Sequence, residues 1–102
     1  MSVVTNIILA LPCGASDEGA LQKVNEYFTK EDRRGFIEID TTNVGGNKCV
    51  EADLYIGAFN HFNLDSFIDY MGSLSWKYPE DVQIIVKEEH DERFRIEKIP
   101  YA

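Results

Sequence analysis

From Lys48 to Phe59 apolar and polar positions alternate strictly: Val50, Ala52, Leu54, Ile56 and Ala58 share one side, while Cys49, Glu51, Asp53, Tyr55 and Gly57 share the other. A period of two marks a β-strand with one buried face. Phe36 to Asn43 alternates in the same way, with Ile37, Ile39 and Thr41 read as inward and Glu38, Asp40 and Thr42 as outward. Val3 to Leu11 is apolar on both parities, the pattern of a strand covered on both faces, and so takes the central place in the sheet. Val82 to Val86 predicts a fourth strand. Phe94, Ile96 and Ile99 predict a short fifth one, which Pro100 stops.

Two stretches switch to helical spacing. Pro12 and Gly14 end the first strand, Ser16 is placed to cap a helix, and Asp17 and Glu18 sit in its first turn, favourably for the helix dipole. Ala20, Leu21, Val24, Tyr27 and Phe28 form its apolar stripe. Asn63 is placed to cap a second helix with the stripe Leu64, Phe67, Ile68, Met71 and Leu74; Trp76, Tyr78 and Pro79 end it. Between the second and third strands, Val44-Gly45-Gly46-Asn47 reads as a hairpin loop, because glycine tolerates positive φ.

The order β-α-β-β-α-β with a terminal strand predicts an α+β, ferredoxin-like sandwich. Both helices lie on one face, the sheet order is 5-4-1-3-2, and strands one and three are expected to be adjacent and parallel. No repeat, low-complexity tract or linker interrupts the 102 residues, so the chain reads as a single domain, 1–102.

Composition narrows the classes. A content of 44% hydrophobic residues, 12% of the chain being aromatic, is that of a folded globular protein. Cys13 and Cys49 are too few for a disulfide framework or a thiolate zinc site. Neither a signal peptide nor a run near the ~20 apolar residues of a membrane span is visible, which predicts a cytoplasmic protein that binds no membrane. A net charge of −8 disfavours nucleic acid, whose phosphates need clustered Lys and Arg.

Two places could carry function. If strands one and three are parallel, the loops after them meet beside both helix N-termini, bringing Cys13 near His61 as a nucleophile and its base. That loop holds no basic residue and no CxxC, so the pair is a weak catalytic candidate; no metal site and no cofactor are expected. The second place is on the sheet. If Asn43 pairs with Lys48, Asp40 faces Glu51 and Glu38 faces Asp53, with Phe36, Tyr55 and Phe59 on the same parity. Like charges opposed across a sheet destabilise it; Lys48, Lys87, Arg93 or Arg95 could neutralise them. This acidic and aromatic face suits a protein interface.

The resulting expectation is a small acidic, non-catalytic protein-interaction module. It would bind a basic protein through Glu38, Asp40, Glu51 and Asp53, with the size and charge of an inhibitor of the immunity or anti-defence type. The alternatives are a small Cys13/His61 enzyme and a homodimeric ligand-binding or regulatory domain that associates sheet to sheet.

Overall fold

A computed structural model of the chain describes residues 4–12, 19–31 and 34–100. The strands are β1 (Val4–Leu11), β2 (Ile37–Glu38), β3 (Asp53–Asn60), β4 (Gln83–Glu88) and β5 (Arg95–Lys98), and the helices are α1 (Ala20–Asn25) and α2 (Leu64–Ser73). Together they make an α+β fold with one five-stranded sheet in the order β2-β3-β1-β4-β5, every neighbouring pair antiparallel.

The order of strands is the expected one, but the direction of β3 is not: β1 and β3 run antiparallel, from Val4 opposite Asn60 to Leu11 opposite Asp53. The cause is topological. The β2–β3 connection reverses the chain, so each helical crossover joins strands that point the same way, β1 to β2 and β3 to β4. Each of those pairs straddles one strand of opposite sense.

Helix α1 begins after Gly19, whose φ of 75° is left-handed backbone that glycine adopts without a steric cost. The expected Ser16 cap falls outside the described residues. After Asn25 the chain tightens into a 3₁₀ turn, Glu26–Glu31, which still delivers Phe28 to the core. The Asn63 cap of α2 is present: its Oδ1 accepts the Ser66 N–H at 3.0 Å. At the other end the Trp76 indole donates to the Met71 carbonyl at 2.7 Å, satisfying one of the helix's terminal acceptors.

One core joins the sheet to both helices. Ile7, Leu9, Leu11, Tyr55, Phe59, Ile84 and Val86 from the strands pack with Val24, Phe28, Leu64, Phe67 and Met71. All these strand residues share one parity, so both helices cover the same sheet face.

That parity overturns the expected assignment of faces. Phe36, Tyr55 and Phe59 point toward the helices and are 3%, 0% and 6% exposed. The Phe28 and Phe59 rings stack at 4.7 Å, and Phe36 meets Phe59 edge-on at 5.2 Å. Large aromatic rings fill the thick layer between sheet and helices, whereas the isoleucine and alanine parity faces away. Alternation identifies which residues share a face; it does not identify which face the helices take.

Strand β2 is shorter than the pattern predicts. Its ladder pairs Ile37 with Ile56 and Glu38 with Tyr55. The Thr41 carbonyl still accepts the Val50 N–H at 3.0 Å, in keeping with a four-residue loop, but the Ile39 N–H donates to the Leu54 carbonyl at 2.8 Å, two residues out of that register. Asp40 ends the ladder. Its Oδ1 accepts both the backbone N–H of Thr42, at 3.0 Å, and its hydroxyl, at 2.6 Å, an alternative to strand pairing that aspartate often takes.

Candidate functional site

The sheet face turned away from the helices carries an unbroken row of one residue type. Ile56 of β3 pairs with Ile37 of β2 and with Ile8 of β1; Ile8 pairs with Ile85 of β4, and Ile85 with Ile96 of β5. Paired residues in an antiparallel ladder project to the same side. Five isoleucines, one from each strand, therefore cross the full width of the sheet. Ile37, Ile56 and Ile96 are 50%, 42% and 58% exposed, and Ile8 and Ile85 are half-buried.

One row flanks the isoleucines on each side. Toward the start of β1 it holds Ala58, Asn6 and Lys87, with the exposed Phe94 beside them. Toward the end of β1 it holds Leu54, Ala10, Gln83 and Lys98, and Ile39 extends it through its bond to Leu54. In a chain with eight excess negative charges, these three rows contain no carboxylate. A recess of about 440 Å³ opens on the first side, between Ile8, Ile37, Ile56, Gly35, Ala58 and Phe94, with Arg34 at its margin. The Asn6 side chain is tied down there, its amide donating to the Lys87 carbonyl at 3.1 Å.

The residues expected to form an acidic and aromatic surface are dispersed. Phe36, Tyr55 and Phe59 belong to the core. Glu38 is exposed on the edge strand, Asp53 is half-buried opposite Leu11, and Asp40 and Glu51 lie outside the strands. The Thr42 hydroxyl and then its backbone N–H hold the Asp40 carboxyl below its ordinary pKa. Acidity does collect at the end of the sheet where β3 begins: Glu51 and Asp81 line one shallow recess of about 480 Å³ with Pro12 and the exposed Tyr78.

Arg95, an expected neutraliser of those carboxylates, serves others. It reaches Asp91 at 2.6 Å, Glu97 at 2.9 Å and Glu88 at 3.7 Å. The hydrogen bond to Glu97, reinforced by the other carboxylates, raises its pKa further.

Cys13, one half of the expected pair with His61, lies outside the described residues. Leu11 and Pro12 stand at the Asp53 end of β3, and His61 follows Asn60 at the Val4 end. The eight paired residues between these ends span about 24 Å. His61 is exposed, with a left-handed φ of 51°, a conformation that non-glycine residues adopt rarely and histidine more readily than most. Among the described residues, no three His, Cys, Asp or Glu side chains gather as metal ligands.

The isoleucine face has a signal in the sequence, namely the even-numbered apolar residues of β1, a pattern that fits a strand covered on both faces equally well. They match Ile37, Ile39, Leu54 and Ile56 across the ladder. Comparison of the chain with protein-family models, with curated proteins and with solved structures finds no match in any of the three.

Proposed function

We propose that this chain is a small, non-catalytic protein-interaction module that binds through the open isoleucine face of its sheet. The observation that carries the reading is a row of five isoleucines, three of them about half exposed, at the centre of three rows that hold no carboxylate. Contiguous exposed apolar surface of this kind marks interaction sites in folded proteins. The element order and strand order support a ferredoxin-like arrangement with an added fifth strand, whose uncovered sheet face is free to meet another macromolecule. A module that acts by occupying a surface fits the inhibitor role, of the immunity or anti-defence kind. The exposed free thiol of Cys49 accords with a reducing, cytoplasmic setting, and no described helix is long and apolar enough to cross a membrane.

A second reading has its own support. The acidic end of the sheet, with Glu51 and Asp81 around one recess and Tyr78 exposed beside them, could hold a basic protein.

Affinity capture with three proteins separates the two: the native chain, an Ile37→Lys/Ile56→Lys face variant and a Glu51→Lys/Asp81→Lys variant. A partner kept at moderate salt and lost only with the face variant is the expected result. Loss on adding salt and with the acidic-end variant instead would move the interface to that end. Capture unaffected by either pair of substitutions would sink both readings.

A further inference from the structure

We infer that the occupant of the open face is a second copy of this chain, packed sheet on sheet about a two-fold axis that runs along the isoleucine row. The inference rests on the reading of that face as an interaction surface and names its partner.

The first argument is the symmetry of the face itself. An interface between identical copies must be complementary to itself. Here the row occupies the middle of the face, with Ile8 on the central strand, two isoleucines on either side of it, and one flanking row above and below. A two-fold axis along the row lays isoleucine on isoleucine and exchanges the two flanking rows.

That exchange makes the surfaces fit. On one side of the row the residues at the β2–β3 edge are small, Gly35 and Ala58, and they floor the recess. On the other side, the same number of residues away, stand Ile39 and Leu54. The axis sets the large pair of one copy over the small pair of the other, filling the recess that a lone chain leaves open. Aligned sheets pack in this way, with inner-face side chains interdigitated.

Charge agrees. Because no carboxylate lies in the three rows, two chains of net charge −8 can meet here without opposing their anionic groups. The same axis carries Lys98 over the other copy's Phe94, a cation above an aromatic ring, and Lys87 over Gln83. The face is about 24 Å across five strands and about 20 Å along them, so two copies bury on the order of 1,000 Å² once side-chain relief is counted. Specific association begins near that size.

The test is sedimentation velocity on the purified full chain from low to high micromolar concentration, with Ile56→Lys, Ile56→Glu and Ile96→Lys alongside. Both positions are well exposed, so circular dichroism spectra should match the native protein, and so should thermal midpoints taken at dilutions where the native chain is monomeric. The native chain is expected to approach twice the mass of one chain as concentration rises. Each variant alone should weaken association at least tenfold. Because the axis places Ile56 against its own copy, mixing Ile56→Lys with Ile56→Glu should restore dimers, and failure to restore them would overturn this axis. A native chain that stays monomeric throughout, or a dimer indifferent to all three substitutions, would overturn the second-copy assignment. The binding face itself is judged separately: a monomeric chain whose Ile37→Lys/Ile56→Lys variant still loses a different captured protein keeps its interaction surface.

Discussion

The side-chain amide of Asn25 grips the backbone of Phe36 at two points: its Oδ1 accepts the Phe36 N–H at 2.7 Å, and its Nδ2 donates to the Phe36 carbonyl at 3.0 Å. The last residue of α1 thus stands in for a strand beside the short edge strand β2. The neighbouring Gly35 is part of the arrangement, since a Cβ there would overlap the Asn25 side chain. Asn25→Ala should leave two partly buried backbone groups unsatisfied and cost about 1–3 kcal/mol in urea unfolding. Asn25→Asp, which keeps the acceptor and loses the donor, should fall between. Hydrogen exchange at the Phe36 amide should quicken in Asn25→Ala before that of the central strands changes.

Gly57 makes room for the aromatic core. A Cβ at this position would come within 2.6 Å of the Phe59 ring and 3.2 Å of Phe36. Phe59 is 6% exposed and stacked on Phe28, so the ring has nowhere to retreat. Gly57→Ala should therefore destabilise by about 1–3 kcal/mol through overpacking, read as a lower denaturation midpoint with an unchanged m-value.

Tyr70 ties α2 to α1 by donating its hydroxyl to the Lys23 carbonyl at 2.5 Å. Burial, and then the nearby Glu26 carboxylate, raise its pKa above the ordinary 10.0. A tyrosine whose folded pKa is raised holds its proton better in the folded state. Its contribution is complete below the unfolded pKa and is lost as pH climbs through the folded one. Stability should accordingly fall above about pH 10, and Tyr70→Phe should flatten that decline. An equal alkaline decline in the variant would exclude Tyr70 as its source.

The antiparallel pairing of β1 with β3 sets Pro12, which follows β1, and His61, which follows β3, at opposite ends of that strand pair. In a Cys49→Ser background, iodoacetamide labelling of Cys13 near neutral pH should proceed at the same rate whether residue 61 is His or Ala. A clear slowing in His61→Ala would mean that the imidazole reaches the thiol after all.

Much of the architecture was legible because it is local. Period-two alternation marked β3, helical spacing marked α2, and the Asn63 cap followed from one residue before an apolar stripe. What could not be read was relational. The residues of β3 alternate equally well with either side buried, and only the volume of Phe28, Phe36, Phe59 and Phe67 decides which side the helices choose. Asp40 looked like an outward strand residue, yet its bonds to Thr42 end β2 early. The candidate surface is hidden for a related reason: Val4, Ile8 and Ala10 make β1 apolar on both parities, which reads as a strand covered on both faces, whereas the helices cover only the parity of Ile7, Leu9 and Leu11.

The place of β1 also governs when this chain can fold. It precedes every other described strand in the chain and is the middle one in the sheet, and neither neighbour is near it in sequence. Leu11 pairs with Asp53, and Thr5 pairs with Glu88. On a ribosome β1 must emerge and wait, its edges unpaired, until β3 and then β4 have followed. Topologies dominated by such distant pairings fold slowly and expose strand edges on the way. Assembly is therefore expected to be all-or-none and to wait for β4, with truncation before β4 leaving no stable sheet.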